Sequence, residues 1–423
     1  MRASALLFLC SLVVARADWP QWRGPSANGI APDKDVPAEW GPGRNIAWKV
    51  PLTGLGTSTP IIWGDRVFLT SQIGDSPSEG YDFAGASVAR RMGRAPAVQL
   101  AVHAFSRTTG KLLWEYKFDA PRPMPSVHIK HNLASPSCAT DGKLVYAWMG
   151  TGQLVALDMD GKLVWKRDLG KEYGPFEIQW GHGSSPLLYK ESLILLCDHQ
   201  GKAYLLSLDK RSGKQLWKVD RGNDRRAYST PFIIPGKNGD ELVINSSERI
   251  DVVDPATGAP LWHLGEFNRV PVPTPVFHNG VLYTSRGYNS GPYMAVRTGA
   301  KSEVKWQVPT GAPYVSSLLY YDGLIYMVNE MGIASCVDAE TGKLLWRERL
   351  GGVFSASPVA AAGKVYLINE DGDAVVLAAG RQLKILHRNK LGERTLASPS
   401  ISQGQIFLRT DQHLICIGKT GQS

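Results

Sequence analysis

Several features that mark other classes of protein are missing from this chain of 423 residues. After residue 17 no stretch approaches the ~20 consecutive apolar residues of a membrane-spanning helix. No long segment repeats its apolar residues with the 3.6-residue period of an amphipathic helix. The 5 cysteines form no Cys-x-x-Cys or Cys-x-x-His spacing, which argues against a structural zinc site. We therefore expect neither a helical membrane protein nor an α-helical domain.

Positive charge is in excess, but it is spread along the chain. The formal net charge is +9, with small clusters at Arg90-Arg91-Arg94 and Arg225-Arg226. No stripe interleaves basic with aromatic residues, as nucleic-acid surfaces do. We expect no nucleic-acid partner, while an anionic ligand or a polyanion of the cell envelope stays open.

The N-terminus has the pattern of a secretory signal peptide over residues 1–17. Arg2 precedes a mostly apolar run from Ala5 to Val14, and Ala15-Arg16-Ala17 fits a small-x-small cleavage site. Leu7-Phe8-Leu9 before Cys10 lacks the small residues of a lipobox, which favours export without a lipid anchor. We expect cleavage after Ala17 and a periplasmic or secreted domain spanning 18–423.

A short motif that ends in tryptophan recurs along the chain. Its clearest copies are Thr109 to Trp114 and Thr341 to Trp346. With the degenerate copies included, the repeated tryptophans are Trp48, Trp114, Trp165, Trp217, Trp262, Trp306 and Trp346. The spacing of the later copies is close to the roughly 40–45 residues of a four-stranded propeller blade. The repeat therefore predicts a β-propeller.

A second element recurs in phase with the first and sets the number of blades. Its copies are Ser58-Thr59-Pro60, Ser135-Pro136, Ser185-Pro186, Ser229-Thr230-Pro231, Thr274-Pro275, Ser316-Ser317-Leu318 (without proline), Ser357-Pro358 and Ser398-Pro399. Each start precedes a run of short β-rich segments separated by glycine turns. We therefore predict an all-β, eight-bladed propeller of four-stranded antiparallel blades, with an insertion at about 72–98 in the first full blade.

The residue types of the repeat suggest where each strand lies. Proline lacks an amide donor and is tolerated on an edge strand, such as the innermost strand of a blade. The tryptophan carries a large apolar plate that can dock between neighbouring blades. The last unit supplies only three strands, up to Cys416, so we expect the strand of Trp48 to complete it. Trp19 lies outside the repeat and is expected to contribute less to stability than Trp346.

The four cysteines of the mature chain fall in four different blades. They are Cys138, Cys197, Cys336 and Cys416. No pair is within obvious disulfide reach at these repeat positions. Free, buried thiols are expected.

These motifs resemble the PQQ-like (pyrroloquinoline-quinone-binding-like) repeat of the quinoprotein alcohol dehydrogenase-like superfamily. Trp19-Pro20-Gln21-Trp22-Arg23-Gly24-Pro25, His131 to Pro136, Trp180 to Pro186 and Leu396 to Pro399 are similar to segments of short secreted proteins with this repeat. The predicted shape is also similar to that of the BamB-like eight-bladed propellers. The resemblance covers nearly the whole mature chain and implies the fold far more specifically than any chemistry.

Two functions remain open from the sequence. One is a secreted or periplasmic, non-catalytic propeller that binds a protein, a glycan or a small ligand; the alternative is a dehydrogenase of alcohols or sugars that depends on PQQ and calcium. Quinoprotein dehydrogenases carry adjacent cysteines over the quinone, and no Cys-Cys pair occurs here. The run Asn369 to Asp373 has its glycine too early for an EF-hand loop, so it is interpreted as a hairpin turn. The first function is favoured, with no cofactor, no metal, no catalytic residue and a monomeric state expected.

Polar and aromatic residues near the predicted inner strands form the candidate ligand site. They are His128, His131, Asn132, Trp180, His182, Asp198 and Arg225. We expect them at the mouth of the channel, where they would suit an anionic or sugar-like ligand. In the alternative interpretation, His131, Asn132 and His182 hydrogen-bond the loops that cap the channel. The run Gly181 to Ser184 is not a nucleophile elbow, because no helix follows it.

Overall fold

The repeat folds into eight antiparallel sheets of four strands and one small sheet of three strands. The computed structural model describes residues 17–82, 85–91, 97–176, 178–268, 270–286, 291–299 and 302–419. Each four-stranded sheet is one blade, so the prediction of an all-β, eight-bladed propeller is confirmed. Among the described residues, no helix is long and apolar enough to cross a membrane.

The first strand in the chain, β1 (Ile46–Pro51), belongs to the last blade. The strands of blades 1 to 4 then follow in chain order. Blade 1 contains β2 (Ile61–Trp63), β3 (Arg66–Ile73), β6 (Gln99–Ser106) and β7 (Leu112–Asp119), with β4 (Ser78–Asp82) and β5 (Gly85–Arg91) inserted between β3 and β6, and with β8 (Val127–His128) after β7. Blade 2 contains β9 (Ala139–Thr140), β10 (Leu144–Trp148), β11 (Gln153–Asp158) and β12 (Leu163–Asp168), followed by the short helix α1 (Leu169–Tyr173). Blade 3 contains β13 (Leu187–Tyr189), β14 (Ser192–Cys197), β15 (Lys202–Asp209) and β16 (Gln215–Asn223), and blade 4 contains β17 (Phe232–Gly236), β18 (Gly239–Asn245), β19 (Glu248–Val253) and β20 (Pro260–Asn268).

The remaining blades follow the same order from the channel outwards. Blade 5 contains β21 (Val276–His278), β22 (Val281–Ser285), β23 (Tyr293–Arg297) and β24 (Glu303–Val308); blade 6 contains β25 (Leu319–Tyr321), β26 (Leu324–Val328), β27 (Ile333–Asp338) and β28 (Leu344–Arg349); blade 7 contains β29 (Val359–Ala361), β30 (Lys364–Ile368), β31 (Asp373–Ala378) and β32 (Ile385–Lys390); blade 8 contains β33 (Ser400–Ser402), β34 (Gln405–Arg409), β35 (His413–Ile417) and β1.

The two middle strands of each blade are buried on both faces, because neighbouring blades pack face to face. In blade 3, β14 reads Ser-Leu-Ile-Leu-Leu-Cys and is buried from its second residue onward. The outer strand β16 instead alternates between exposed and half-buried side chains. Hydrophobic clusters therefore lie between blades, as in the cluster shared by blades 2 and 3 around Tyr146, Trp148, Leu195 and Leu206.

The ring closes where the first strand meets the last three. Strand β1 pairs antiparallel with β35, and Trp48 lies opposite Cys416. Closure by the N-terminal strand is thus confirmed. A second link crosses the same seam, because the buried guanidinium of Arg409 in blade 8 donates to the hydroxyls of Ser58 (3.0 Å) and Ser71 (3.1 Å) in blade 1. Only glycine fits at position 56, since a Cβ there would overlap the Arg409 side chain.

Five of the seven repeated tryptophans lie against a glycine turn of the following blade, namely Trp48, Trp114, Trp165, Trp217 and Trp306. A Cβ at Gly161 would come within 2.6 Å of the Trp114 ring, and Gly161 has φ +84°. The Trp114 indole also donates to Met159 O in the next blade at 2.9 Å. The same inter-blade donation is made by Trp48, Trp165, Trp306 and Trp346. Trp262 donates to Glu241 of its own blade, and the buried Trp217 nitrogen has no partner among the described residues.

The N-terminal segment closes one end of the channel. Trp19 bridges Ile62 of blade 1, the carbonyl of Pro20 accepts the amide of Thr140 in blade 2, and Gly29 O accepts the amide of Ala360 in blade 7. Trp19 is more deeply buried than its place outside the repeat suggests, because its side chain is only 1% exposed and belongs to a hydrophobic core cluster. A sequence outside the repeat is here an integral part of the packing.

Two smaller predictions concern turns and thiols. Asn369 to Asp373 joins β30 to β31, and the Asn369 side chain accepts the amides of Asp371 and Asp373, which confirms a hairpin turn. Cys138, Cys197, Cys336 and Cys416 are buried and unpaired. Burial raises the pKa of Cys138 to about 12, so this thiol is not poised for nucleophilic chemistry.

Candidate functional site

A belt of hydroxyl groups surrounds the channel at the entry to the inner strands. Each belt residue lies two positions before its inner strand, and in blades 1 to 7 its backbone amide donates to the belt hydroxyl of the next blade. The bonds, at 2.8 to 3.2 Å, run Thr59 to Ser137, Ser137 to Ser185, Ser185 to Thr230, Thr230 to Thr274, Thr274 to Ser317, Ser317 to Ser357 and Ser357 to Ser398. Serine and threonine thus recur here because blades 2 to 8 each supply a buried acceptor to the preceding blade.

Two blades depart from the Ser-Pro pattern that the sequence suggested. In blade 2 the belt residue is Ser137, so Cys138 stands at the usual proline position and Ser135-Pro136 lies two residues earlier. In blade 6 the same position is Leu318. The hydroxyl is therefore the constant element of the belt, and the proline is replaceable.

The belt lines a cavity of about 410 Å³ on the channel axis. Trp22 forms its floor, and the indole nitrogen donates to the Thr274 hydroxyl at 3.3 Å. His128, Trp180, Tyr228 and Tyr314 form the upper wall. A volume near the lower end of the usual range for ligand pockets suits a small molecule.

The connection between β7 and β9 supplies the polar rim of this cavity. Strand β8, within that connection, pairs parallel to β4 of the insertion. His128 packs edge-to-face on Trp180, with ring centroids 5.3 Å apart. Lys130 extends to blade 7, where its ammonium lies 2.9 Å from Glu370 Oε2 and Ser355 donates to the same carboxylate at 2.6 Å. The rim therefore carries a cation that is already matched by an anion.

The structure brings three of the seven predicted ligand residues, His128, His131 and Trp180, to the cavity wall. Asn132 is buried beside it, where its side chain accepts the amide of Ala134. His182 lies beneath the wall against Trp148, with ring centroids 4.0 Å apart. Burial lowers the pKa of His131 to about 4 and that of His182 to about 3, so both imidazoles are neutral at neutral pH.

Asp198 and Arg225 lie away from the cavity. Asp198 is buried and holds Arg221 at 2.7 Å, while Arg225 lies 3.4 Å from Asp251. Arg221 also contacts Asp251 at 3.0 Å, so the four side chains form one ion-pair network between blades 3 and 4. Their expected place at the channel mouth is not what the structure shows, because the turns that carry them face a blade interface.

Sequence reasoning missed Trp22, Lys130, Tyr314 and Glu370. Trp22 lies in a recognisable motif, but its position across the channel has no signal within the repeat. Glu370 lies in the predicted turn, and its side chain contacts Lys130, which lies 240 positions earlier in the chain. Such contacts across the ring leave no periodic pattern in the sequence.

The described cavity wall does not fit a calcium-bound quinone. Its residues include no aspartate, glutamate or cysteine, whereas calcium takes six to eight oxygen ligands, carboxylates prominent among them. Across the described ranges, no group of three or more His, Cys, Asp or Glu side chains is arranged to hold a metal ion. Lys130 is the one cation among the described residues of the wall, and it is paired with Glu370. A trianionic quinone would therefore enter the cavity without a matching charge.

The sequence is similar to a family model and to two known proteins. The family described as "Outer membrane protein assembly factor BamB" matches residues 100–334 and 330–422. Tetrathionate hydrolase of Acidithiobacillus ferrooxidans is 27% identical over 357 residues, covering 77% of this chain and 65% of that protein. BamB of Yersinia pestis is 21% identical over 288 residues, covering 62% of this chain and 70% of that protein. The chain thus spans about 65% of the hydrolase's length.

Solved structures give the same architecture. BamB from Moraxella catarrhalis superposes with a TM-score of 0.61 at 15% identity, over 89% of this chain and 98% of that one. Quinohemoprotein alcohol dehydrogenase from Comamonas testosteroni gives 0.63 at 12% identity, over 96% and 81% of the two chains. At these identities the likeness shows the fold alone, since the same fold hosts unrelated functions.

Proposed function

The chain belongs to the family of the outer membrane protein assembly factor BamB, and on that premise we propose that it is a non-catalytic scaffold that binds a protein partner outside the cytoplasm. The observation that carries the proposal is the free edge of the inserted sheet. Its order is β5, β4, β8, so β5 pairs on one side only within the described residues. An unpaired edge is a template for strand addition by another chain.

The position and composition of β5 support this role. Strand β5 covers Gly85 to Arg91, and β8 ties its sheet to the connection that forms the cavity rim. The strand ends in Arg90 and Arg91, so the sequence here favours an extended acidic segment as the partner. Seven residues of main chain provide the length that strand addition needs.

Chemistry in the cavity is the weaker proposal. General base or nucleophilic catalysis needs a carboxylate, thiolate or free imidazole near the substrate. The described wall has no carboxylate or thiol, His131 is buried with a pKa lowered to about 4, and His128 Nδ1 accepts the backbone amide of Lys130. We propose that the protein works without calcium or a quinone.

The proposed location rests on the signal-peptide pattern of residues 1–17 and on the family description. Arg2, the apolar run that follows it and the site after Ala17 form the export signal. The mature domain would then meet its partner in the periplasm or outside the cell. N-terminal sequencing of the protein from its native host tests this, and a chain that retains Met1 would contradict it.

Site-specific photocrosslinking tests the scaffold proposal. A photoreactive residue at Ser87 in β5 should capture one envelope protein in living cells. The same residue at Leu344, which is exposed on the outer strand of blade 6, should not capture it. Capture from both positions, or from neither, would contradict a docking edge at β5.

Proline substitutions in β5 give a second test of strand addition. Neighbouring residues in a strand direct their N–H groups to opposite sides, so only one of Val88→Pro and Ala89→Pro removes an outward donor. We expect crosslinking at Ser87 to fall for both variants. One variant loses the outward donor, and the other loses an inward donor and so disturbs the pairing of β5 with β4. In parallel, mass spectrometry and absorbance after incubation with PQQ and Ca²⁺ should detect no bound quinone.

A further inference from the structure

We propose that the central cavity binds a neutral sugar of one or two rings. This goes beyond docking of a protein partner, since β5 belongs to the inserted sheet and none of its residues is among the described residues of the cavity wall. The inference rests on the donors, the aromatic faces and the charge of the cavity wall.

The belt offers the cavity a ring of hydrogen-bond donors. The belt hydroxyls of blades 2 to 8 each accept one backbone amide, as described above. Among the described residues no bond uses the hydroxyl hydrogens of Ser137, Ser185, Thr230, Thr274, Ser317, Ser357 and Ser398, and all of them line the cavity. A buried hydroxyl without an acceptor loses free energy relative to water, so these groups favour a ligand with many acceptor oxygens.

Aromatic side chains give the same cavity apolar faces. Trp22 lies at the floor, and Trp180, Tyr228 and Tyr314 lie at the wall. The Trp22 indole nitrogen already donates to Thr274, so its ring is held in place. A sugar ring combines one apolar C–H face with a rim of hydroxyl oxygens, and it therefore matches an aromatic plate surrounded by donors.

The charge of the wall excludes a strongly charged ligand. Lys130 is neutralised by Glu370 at 2.9 Å, and no described residue of the wall carries a carboxylate. The pKa of His131 is lowered to about 4 by burial, so this side chain adds no charge at neutral pH. A buried ion without a partner is costly, and an uncharged ligand avoids that cost.

Calorimetry with the full-length mature protein tests the proposal. The probes are glucose, maltose, cellobiose and lactose, with glucuronate and glucosamine as charged counterparts. At least one neutral sugar should bind with a Kd below about 1 mM, and both charged sugars should bind at least about tenfold more weakly. Failure of all four neutral sugars to bind, or equal binding of glucuronate, overturns the inference.

A cavity-filling variant locates the site. Gly183 lines the cavity, and a Cβ there would meet only ordinary contacts, the nearest being Tyr228 O at 3.6 Å. Gly183→Leu should weaken sugar binding by at least about tenfold. Gly265→Leu is the matched control, because this glycine lies in β20 and its Cβ would meet only Arg249 at 3.7 Å.

A second variant covers the case in which Gly183→Leu does not fold. Trp180→Leu removes an aromatic face at the half-buried wall and leaves the belt intact. Thermal melting establishes that each variant is folded before titration. Unchanged sugar affinity in a folded Gly183→Leu or Trp180→Leu protein would place any binding elsewhere and overturn the assignment. Crosslinking at Ser87 should be unaffected in both variants, which keeps this result separate from the scaffold proposal.

Discussion

The ammonium group of Lys130 lies 2.9 Å from Glu370 Oε2, and this contact joins the connection between blades 1 and 2 to blade 7. The two side chains are only 12% and 11% exposed, so neither charge is well solvated. Ser355 adds a hydrogen bond to the same carboxylate at 2.6 Å. The pair therefore fixes the rim of the cavity across three blades.

Removal of one partner from this pair should destabilise the protein. Lys130→Met or Glu370→Gln leaves a largely buried charge without its partner, at a cost on the order of 3 kcal/mol. The double variant should recover much of that loss, because it leaves no unpaired charge. Urea unfolding of the four proteins checks this double-mutant cycle, and independent, additive effects would contradict the coupling.

Stability should fall steeply in mild acid. Burial lowers the pKa of His103 and His131 to about 4 and that of His182 to about 3, whereas the unfolded chain titrates near 6.5. Because the folded-state pKa is depressed, the stability is fully present above about pH 6.5 and is lost as the pH falls towards 4.

The three histidines set the size of that pH effect. Near pH 5 the unfolded chain binds close to three more protons than the folded one, which corresponds to on the order of 4 kcal/mol per pH unit. Urea unfolding between pH 4.5 and 7.5 measures it. His131→Gln should reduce the number of protons taken up on unfolding by about one. A free energy of unfolding that does not change over this pH range would be inconsistent with neutral, buried histidines.

The hydroxyl belt gives a matched pair of isosteric substitutions. The Thr274 hydroxyl accepts the amide of Thr230 and the indole N–H of Trp22, so Thr274→Val leaves one buried and one partly buried donor without an acceptor. We expect a loss of about 1–3 kcal/mol per buried donor. The Thr59 hydroxyl is buried and has no partner among the described residues, so Thr59→Val should be neutral or stabilising. Equal effects of the two substitutions on the free energy of unfolding would contradict the belt.

Trp19 should matter at least as much as a repeat tryptophan. Its side chain is 1% exposed, and truncation of a buried aromatic costs about 3–5 kcal/mol. Trp346 is only partly buried, and its indole nitrogen lies 3.4 Å from Gly380 O, the longest of the inter-blade indole bonds. Differential scanning calorimetry of Trp19→Ala and Trp346→Ala compares them. A melting temperature barely changed in Trp19→Ala would show that the N-terminal segment is not part of the packing.

The sequence by itself determined the blades and their closure. Every β-hairpin pairs neighbours in the chain, so the spacing of Thr-Gly turns and Ser-Pro starts predicts eight sheets. The three-stranded last unit and the early Trp48 strand left one way to complete blade 8, and Trp48 does lie opposite Cys416. Hairpin pairing depends on residues that are close in the chain, and closure depends on the number of strands. Both can therefore be predicted from the sequence.

Only the tertiary structure decided which side chains meet over the channel. Trp22 reaches Thr274 and Lys130 reaches Glu370 because segments outside the repeat cross the ring. The periodic pattern of the sequence does not predict such contacts. Asp198 was expected at the mouth but is buried in an ion-pair network, since its direction depends on how blades 3 and 4 pack together. Strand order follows from pairing between chain neighbours, whereas the site follows from the curvature of the whole ring.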